Sequence, residues 1–390
     1  MDRGTVRFGF LDILRGSASL LVVWDHIFSI WPHYNNISIG IVSIVQTYVN
    51  KPLGLIQDFG WLGVVLFFLI SGFVITHVAQ RETPREFITK RIFRIYPALS
   101  LAVLVSVALT PSLWEKATPS SIISNMVLVN YVMVPQVVLL GVAWTLAIEM
   151  IFYVLVLLLF PLRTSPTLSI LGILTLTTSI TYFSKSFGNS FFLFAVTASY
   201  VPYLITGQIF YFLLHAKSVR FPTAILLLAL TYASILYGIS SFHPHTLPVE
   251  NSYLLSYVFA SAIFLLAFAA NDQMKPGRII TILSDHSYAL YLFHGAIGFW
   301  VLDRLVPVVG FYPAVLVALT AIAVAVGLVH AMIEKPMLTL ARKVLPPKAS
   351  RGSQPALSSF LPAASPVGGL PHEAIVPPSA HPALSAKEAL

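Results

Sequence analysis

The chain has 390 residues, 57% of them hydrophobic and only 10% charged, with a formal net charge of +8 and no cysteine. A soluble domain carries about 25% charged residues, so this composition, with a mean hydropathy of +0.84, excludes an ordinary water-soluble globule. The lack of cysteine excludes disulfides, thiolate zinc sites and a cysteine nucleophile.

Apolar blocks near the roughly 20 residues of a bilayer-spanning helix recur along the chain. The sequence therefore reads as an all-α, polytopic membrane helix bundle of about ten transmembrane helices, near residues 10–31, 60–80, 96–113, 143–162, 167–184, 191–214, 222–240, 253–270, 279–300 and 312–333.

The first span, interrupted by Arg15 and without a small-residue cleavage site, reads as a retained helix. It carries Asp12, Arg15, Asp25 and His26, and ionisable groups inside a membrane face protein or water rather than lipid. Arg15 and His26 are eleven residues apart, which puts them within about 20° of one helix face and roughly 16 Å apart along the axis. Singly, Arg15 suits a snorkelling or Asp12-paired residue and His26 an interhelical hydrogen bond. Together they read as the two ends of one elongated site.

The second span offers Gly60, Gly63, Ser71 and Gly72; small residues let helices approach closely, and Ser71 is also a weak candidate nucleophile. In "TPREFITKRIFRIYP", Thr83 and Glu86 have capping-box spacing and Pro84 falls at the first helical position. A short surface helix is expected there, Ile88 and Ile92 toward the membrane and Arg91 and Arg94 on one side, with Pro97 ending it or opening the third span. Residues 121–135 are apolar but too short to cross, which suits a re-entrant or interfacial piece.

In the fourth span Thr145, Glu149 and Tyr153 form a polar stripe at i, i+4, i+8. Helical rise sets Glu149 about 9 Å below the outer boundary and His26 at a similar depth, so a Glu149–His26 pair is expected, the carboxylate orienting the imidazole. The alternative is a buried structural pair. "HPH" at His243–His245 is weak evidence for a metal, and no metal is expected. In the ninth span Tyr288, Tyr291 and His294 recur every three residues, an aromatic packing stripe with His294 a further site candidate.

Cations sort between the loops. Arg81, Arg85, Lys90, Arg91 and Arg94, then Arg163, Lys217, Arg220, Lys275 and Arg278 fall on one side, and few on the other. By the positive-inside rule both termini are cytoplasmic. Residues 1–345 read as the membrane domain. Residues 346–390, holding nine of the 26 prolines, read as a disordered Pro/Ala/Ser-rich cytoplasmic tail.

These motifs, in this order, resemble the acyltransferase 3 family of integral-membrane acyltransferases. "FLDILRGSASLLVVWDH" is similar to its opening motif, with an Arg, ten residues and a His, and "GWLGVVLFFLISGF" to its second-helix motif. "FITKRIFRIYP" supplies its Arg-x-x-Arg, while "WTLAIEMIFY", "SYALYLFH" and the "EKP" at Glu334–Pro336 match later motifs; Asp25 stands where the family has an apolar residue. The resemblance spans about residues 8–340.

It implies a bacterial-type inner-membrane O-acyltransferase that uses cytoplasmic acyl-CoA, commonly acetyl-CoA, to acylate a saccharide or glycolipid hydroxyl on the outer side. Arg15, Arg91 and Arg94 would then bind coenzyme A phosphates, His26 would be the general base with Glu149 holding it, and Ser71, Tyr153, Tyr288 and His294 would flank the acceptor. No nucleic-acid partner is implied. The alternative is a multispan transporter or flippase with a His26–Glu149 proton relay; a non-catalytic membrane partner leaves the buried charges unexplained.

Overall fold

The computed structural model describes residues 8–55, 57–243 and 252–345. Among them, ten helices of 15 residues or more follow one another: α1 Gly9–Tyr34, α2 Gly60–Ala79, α3 Pro84–Leu109, α4 Trp144–Leu158, α5 Pro166–Tyr182, α6 Gly188–His215, α7 Phe221–Phe242, α8 Ser252–Ala269, α9 Arg278–Val309 and α10 Phe311–Val344. They fall on the ten expected spans. Eight segments are long and apolar enough to cross a membrane, the shorter α5 and α8 lying outside that set. The expected tail, Pro346–Leu390, and His245 of the "HPH" motif lie outside the described residues.

The hub is α2, apolar on every face and largely buried, as a helix without a polar side must be. It packs on α1, α6 and α8. Against α6 the two backbones touch: a Cβ on Gly72 would collide with the Leu204 carbonyl, and one on Gly207 with that of Leu69. Small residues at both faces permit this approach.

Helix α9 runs parallel to α1 over its length. Ser284 Oγ donates to Asp12 Oδ1 at 2.8 Å near one end, and Trp31 Nε1 donates to Asp303 Oδ1 at 2.7 Å near the other. Both α1 and α10 contain a wide i→i+5 turn, Asp25–Ile30 and His330–Glu334. Such bulges are rare and concentrate at functional sites; His26 sits in the first.

The capping box is present: the Thr83 hydroxyl accepts from the Glu86 amide and the Glu86 carboxylate accepts from the Thr83 amide. The surface helix is not separate, however, because α3 carries straight through Pro97. A proline removes one rung, here the bond to the Phe93 carbonyl, and the intact turns on both sides hold the helix together.

Residues 121–135 form no helix long enough to cross. They hold the end of the eight-residue helix Pro119–Met126 and a turn, pinned where Asn125 donates to the Val137 carbonyl at 2.9 Å and accepts from the Leu139 amide at 2.9 Å. Residues 40–53 form a helix that hydropathy does not single out. Asp58 docks it, accepting from Gln46 at 2.8 Å, from Asn50 at 2.7 Å and from Ser29 of α1.

Candidate active site

A cavity enters the bundle between α1, α2, α3, α4 and α9, enclosing about 920 Å³ of free space with its open mouth included. Its lining gathers Arg15, Ser71, Arg91, Arg94, Glu149, Tyr153 and Tyr288. Seven of the nine candidates from the sequence thus meet in one space. They come from five helices, so no local pattern could have joined them.

One end is cationic. Arg15 reaches Ser284 Oγ at 3.4 Å and Asp12 Oδ1 at 4.0 Å. Arg91 lies 3.4 Å from Glu82 Oε2, with its guanidinium 4.4 Å over the Phe87 ring and 5.8 Å from that of Tyr153. Glu82 also takes Lys90 at 2.5 Å. The pairing of Glu82 with Arg91 was not legible in the sequence, because the chain turns between α2 and α3 and helical spacing does not run across a turn. Arg94 is the most exposed of the three arginines. A planar guanidinium binds phosphate oxygens bidentately, and two or three around one opening make an anion site.

The wall between the ends is hydrogen-bonded. Tyr153 donates to Glu149 Oε1 at 2.5 Å, and Tyr288 donates to the Ile95 carbonyl at 2.8 Å. At the inner end, beside Phe67, Phe68 and Leu146, the Tyr291 hydroxyl takes a hydrogen bond from Thr145 at 2.8 Å and lies 3.2 Å from the Val142 carbonyl.

His26 and His294 do not line the cavity. They lie one turn beyond Tyr291 along α9, with ring centroids 4.6 Å apart and nearly perpendicular, and the Tyr291 and His294 rings 6.2 Å apart. The expected Glu149–His26 pair is absent: Glu149 holds Tyr153 on the cationic side, and His26 packs on His294. Rise along a helix fixes depth but not which neighbour a face meets, and the face of α1 bearing His26 meets α9. The prediction that Arg15 and His26 share a face holds, since both contact α9, at Ser284 and at His294.

His26 Nδ1 lies 2.9 Å from the Val22 carbonyl and 4.0 Å from Asp25 Oδ2. A carbonyl only accepts, so Nδ1 carries the hydrogen and the neutral ring offers a bare Nε2. Its side chain is 22% exposed, whereas His294 is completely buried. Asp25 packs against Gly60, where a side chain would not fit, and its Oδ1 has no hydrogen-bond partner. His243 is taken up by the Tyr200 hydroxyl at 3.0 Å; among the described residues no group of three metal-ligating side chains forms.

Chemically, this is a cationic mouth, a partly polar corridor and an unprotonated imidazole nitrogen beyond its far end. A family model described as an acyltransferase domain matches residues 8–332. No curated protein and no solved structure matches the chain.

Proposed function

The chain belongs to the acyltransferase 3 family of membrane acyltransferases, and from that premise we propose that it moves an acyl group, acetyl in the first instance, from cytoplasmic acyl-CoA to a saccharide hydroxyl on the outer side. The observation that carries this reading is the cavity itself, with Arg15, Arg91 and Arg94 at one end and Thr145 and Tyr291 at the other, one helical turn short of His294, on which His26 packs.

Coenzyme A phosphates sit at the arginines. The pantetheine arm follows the corridor past Ser71, which brings the thioester carbonyl to the Tyr291 end. The rise of roughly 16 Å between Arg15 and His26 sets the length of that path. The acceptor hydroxyl arrives from the opposite side. A sugar hydroxyl is a poor nucleophile at neutral pH and needs a base in the transition state, for which imidazole is suited. His26 Nε2 takes the hydroxyl proton as the oxygen bonds to the acyl carbon. The C–S bond then breaks, and the departing thiolate takes that proton from His26.

Glu149 acts in this scheme on the donor side, through Tyr153 and the neighbouring arginines, rather than on His26. The loop cations support a cytoplasmic position for the arginine end and for both termini, in a bacterial-type inner membrane. The pantetheine path and this orientation agree: the donor enters where the positive charge lies.

The test is turnover by the purified protein in lipid nanodiscs, read as free coenzyme A together with an acylated saccharide by mass spectrometry. Acetyl-CoA consumption that depends on a glycan acceptor is the expected result. Glycan movement across vesicles without acyl-CoA consumption would instead make the protein a transporter. Comparison of surface glycans from cells with and without the protein, for an acetyl-sized mass difference, identifies the acceptor.

A further inference from the structure

The acyl-transfer reaction above gives no task to a buried imidazole that packs on His26. His294 is completely buried inside the bundle on α9, its Nδ1 2.9 Å from the Leu290 carbonyl one turn back. By the argument used for His26, that nitrogen carries the hydrogen and Nε2 is bare. The Nε2 atom is itself buried and has no hydrogen-bond partner. Buried polar atoms in folded proteins are nearly always satisfied, so one that is not calls for a reason. A phenylalanine at 294 would fill the space without orphaning a nitrogen.

The ring that carries the bare nitrogen packs against His26. The two rings are in van der Waals contact, edge to face, at a centroid separation of 4.6 Å. His26 has no carboxylate on its reactive side: Asp25 lies 4.0 Å from Nδ1, the nitrogen already bonded to Val22, and Glu149 is engaged with Tyr153. When His26 takes a proton it becomes a cation on a side chain only 22% exposed, and a largely buried cation needs compensating dipoles or charges.

We propose that His294 is the positioning partner of His26, a neutral imidazole whose unprotonated nitrogen stabilises the His26 imidazolium while acyl transfer takes place. This rests on the reading of His26 as the general base. The lone-pair dipole of a neutral ring favours a neighbouring positive charge and adds no second charge that would itself have to be buried. The interaction strengthens as His26 charges, so it lowers the transition state more than the ground state. The proton follows the path already given, from acceptor hydroxyl to His26 to thiolate, and His294 ends the cycle as it began it.

The test uses the full-length protein in nanodiscs with acetyl-CoA and the acceptor glycan identified as above. His294→Phe keeps an aromatic ring, slightly larger than imidazole, but removes both nitrogens, the one bonded to Leu290 included. It should lower kcat by about tenfold or more, short of the roughly 100- to 10,000-fold expected on losing the base itself, and leave the KM for acetyl-CoA unchanged because the donor is held at the arginines. His294→Gln, whose amide oxygen reaches about as far as Nε2, should recover part of that loss. In a His26→Gln background, His294→Phe should cost nothing further, as for residues that act as a unit.

Full kcat in His294→Phe, with His26→Gln inactive, overturns the partnership and leaves the base assignment standing. Turnover by His26→Gln overturns both. Thermal unfolding of both position-294 variants accompanies the kinetics. Should the Phe variant fail to fold, the Gln variant decides: partial kcat with an unchanged KM supports the partnership, and wild-type or zero kcat in a folded protein overturns it.

Discussion

The two ends of the candidate site handle charge in opposite ways. At the arginine end each charge is answered locally or left to solvent: Asp12 lies beside Arg15, Glu82 takes Arg91 and Lys90, and Arg94 is exposed. At the histidine end Asp25 and His294 are buried among helices with few partners, the Asp25 Oδ1 and the His294 Nε2 having none, and His26 between them is only partly exposed. Charged groups are tolerated where water or a counter-charge compensates them, and elsewhere they are costly. The two ends therefore suit different tasks. The compensated, open end suits binding of an anion that must come and go, and the largely buried end suits a group whose charge changes only during the reaction.

Removing the imidazole tests this division most severely. His26→Gln is expected to lower acyl transfer by roughly 100- to 10,000-fold, with membrane insertion and acyl-CoA binding intact. Near-normal turnover would move the chemistry into the cavity, with Ser71 the remaining candidate, and the two ends would lose their separate roles.

A smaller effect is expected at the mouth. Arg91→Ala and Arg94→Ala each remove a charge-assisted phosphate contact worth about 1.5–3 kcal/mol, equivalent to about 10- to 150-fold in donor affinity. Because Glu82 already occupies Arg91, the Arg94 change should be the larger. Lysine should rescue only in part, since a point charge does not reproduce the guanidinium fork. Acyl-CoA titration by calorimetry reads these values, and unchanged affinity in well-inserted protein would leave the arginines as lipid anchors alone.

Glu149→Gln sharpens the comparison. With the carboxylate bonded to Tyr153 on the cationic side, its loss should raise the KM for acyl-CoA by about tenfold, the low end for one hydrogen bond to a charged group, and leave kcat close to wild type. A fall in kcat alone would instead couple Glu149 to His26.

The smallest effect is expected outside both ends. Truncation after Lys348 should leave turnover in membranes unchanged, because every residue of both ends of the candidate site lies before it in the chain. Loss of activity with normal insertion would assign residues 349–390 a part in recruiting a partner.

Most of the architecture was readable in the chain because its determinants are local. The ten helices follow from hydropathy over windows of a bilayer's thickness, the start of α3 from Thr83, Pro84 and Glu86, and the Gly72 approach from the need for small residues where helices touch. The shared face of Arg15 and His26 followed from the helical period alone. Pro97 misled, since a proline is a strong local signal that the surrounding helix outvoted. Residues 40–53 were missed because their anchor, Asp58, lies outside them in the chain.

The partners of the site residues were not readable, and the reason is geometric. Sequence determines which residues share a helix face and roughly how deep they lie; it does not determine which helix stands opposite. Tertiary packing set α9 rather than α4 against the His26 face of α1, gave His26 a histidine instead of a carboxylate, and brought Glu82 across a turn to Arg91. Periodicity is a property of one helix, whereas a site is a property of several, and their relative rotation is decided by side-chain packing over the whole bundle.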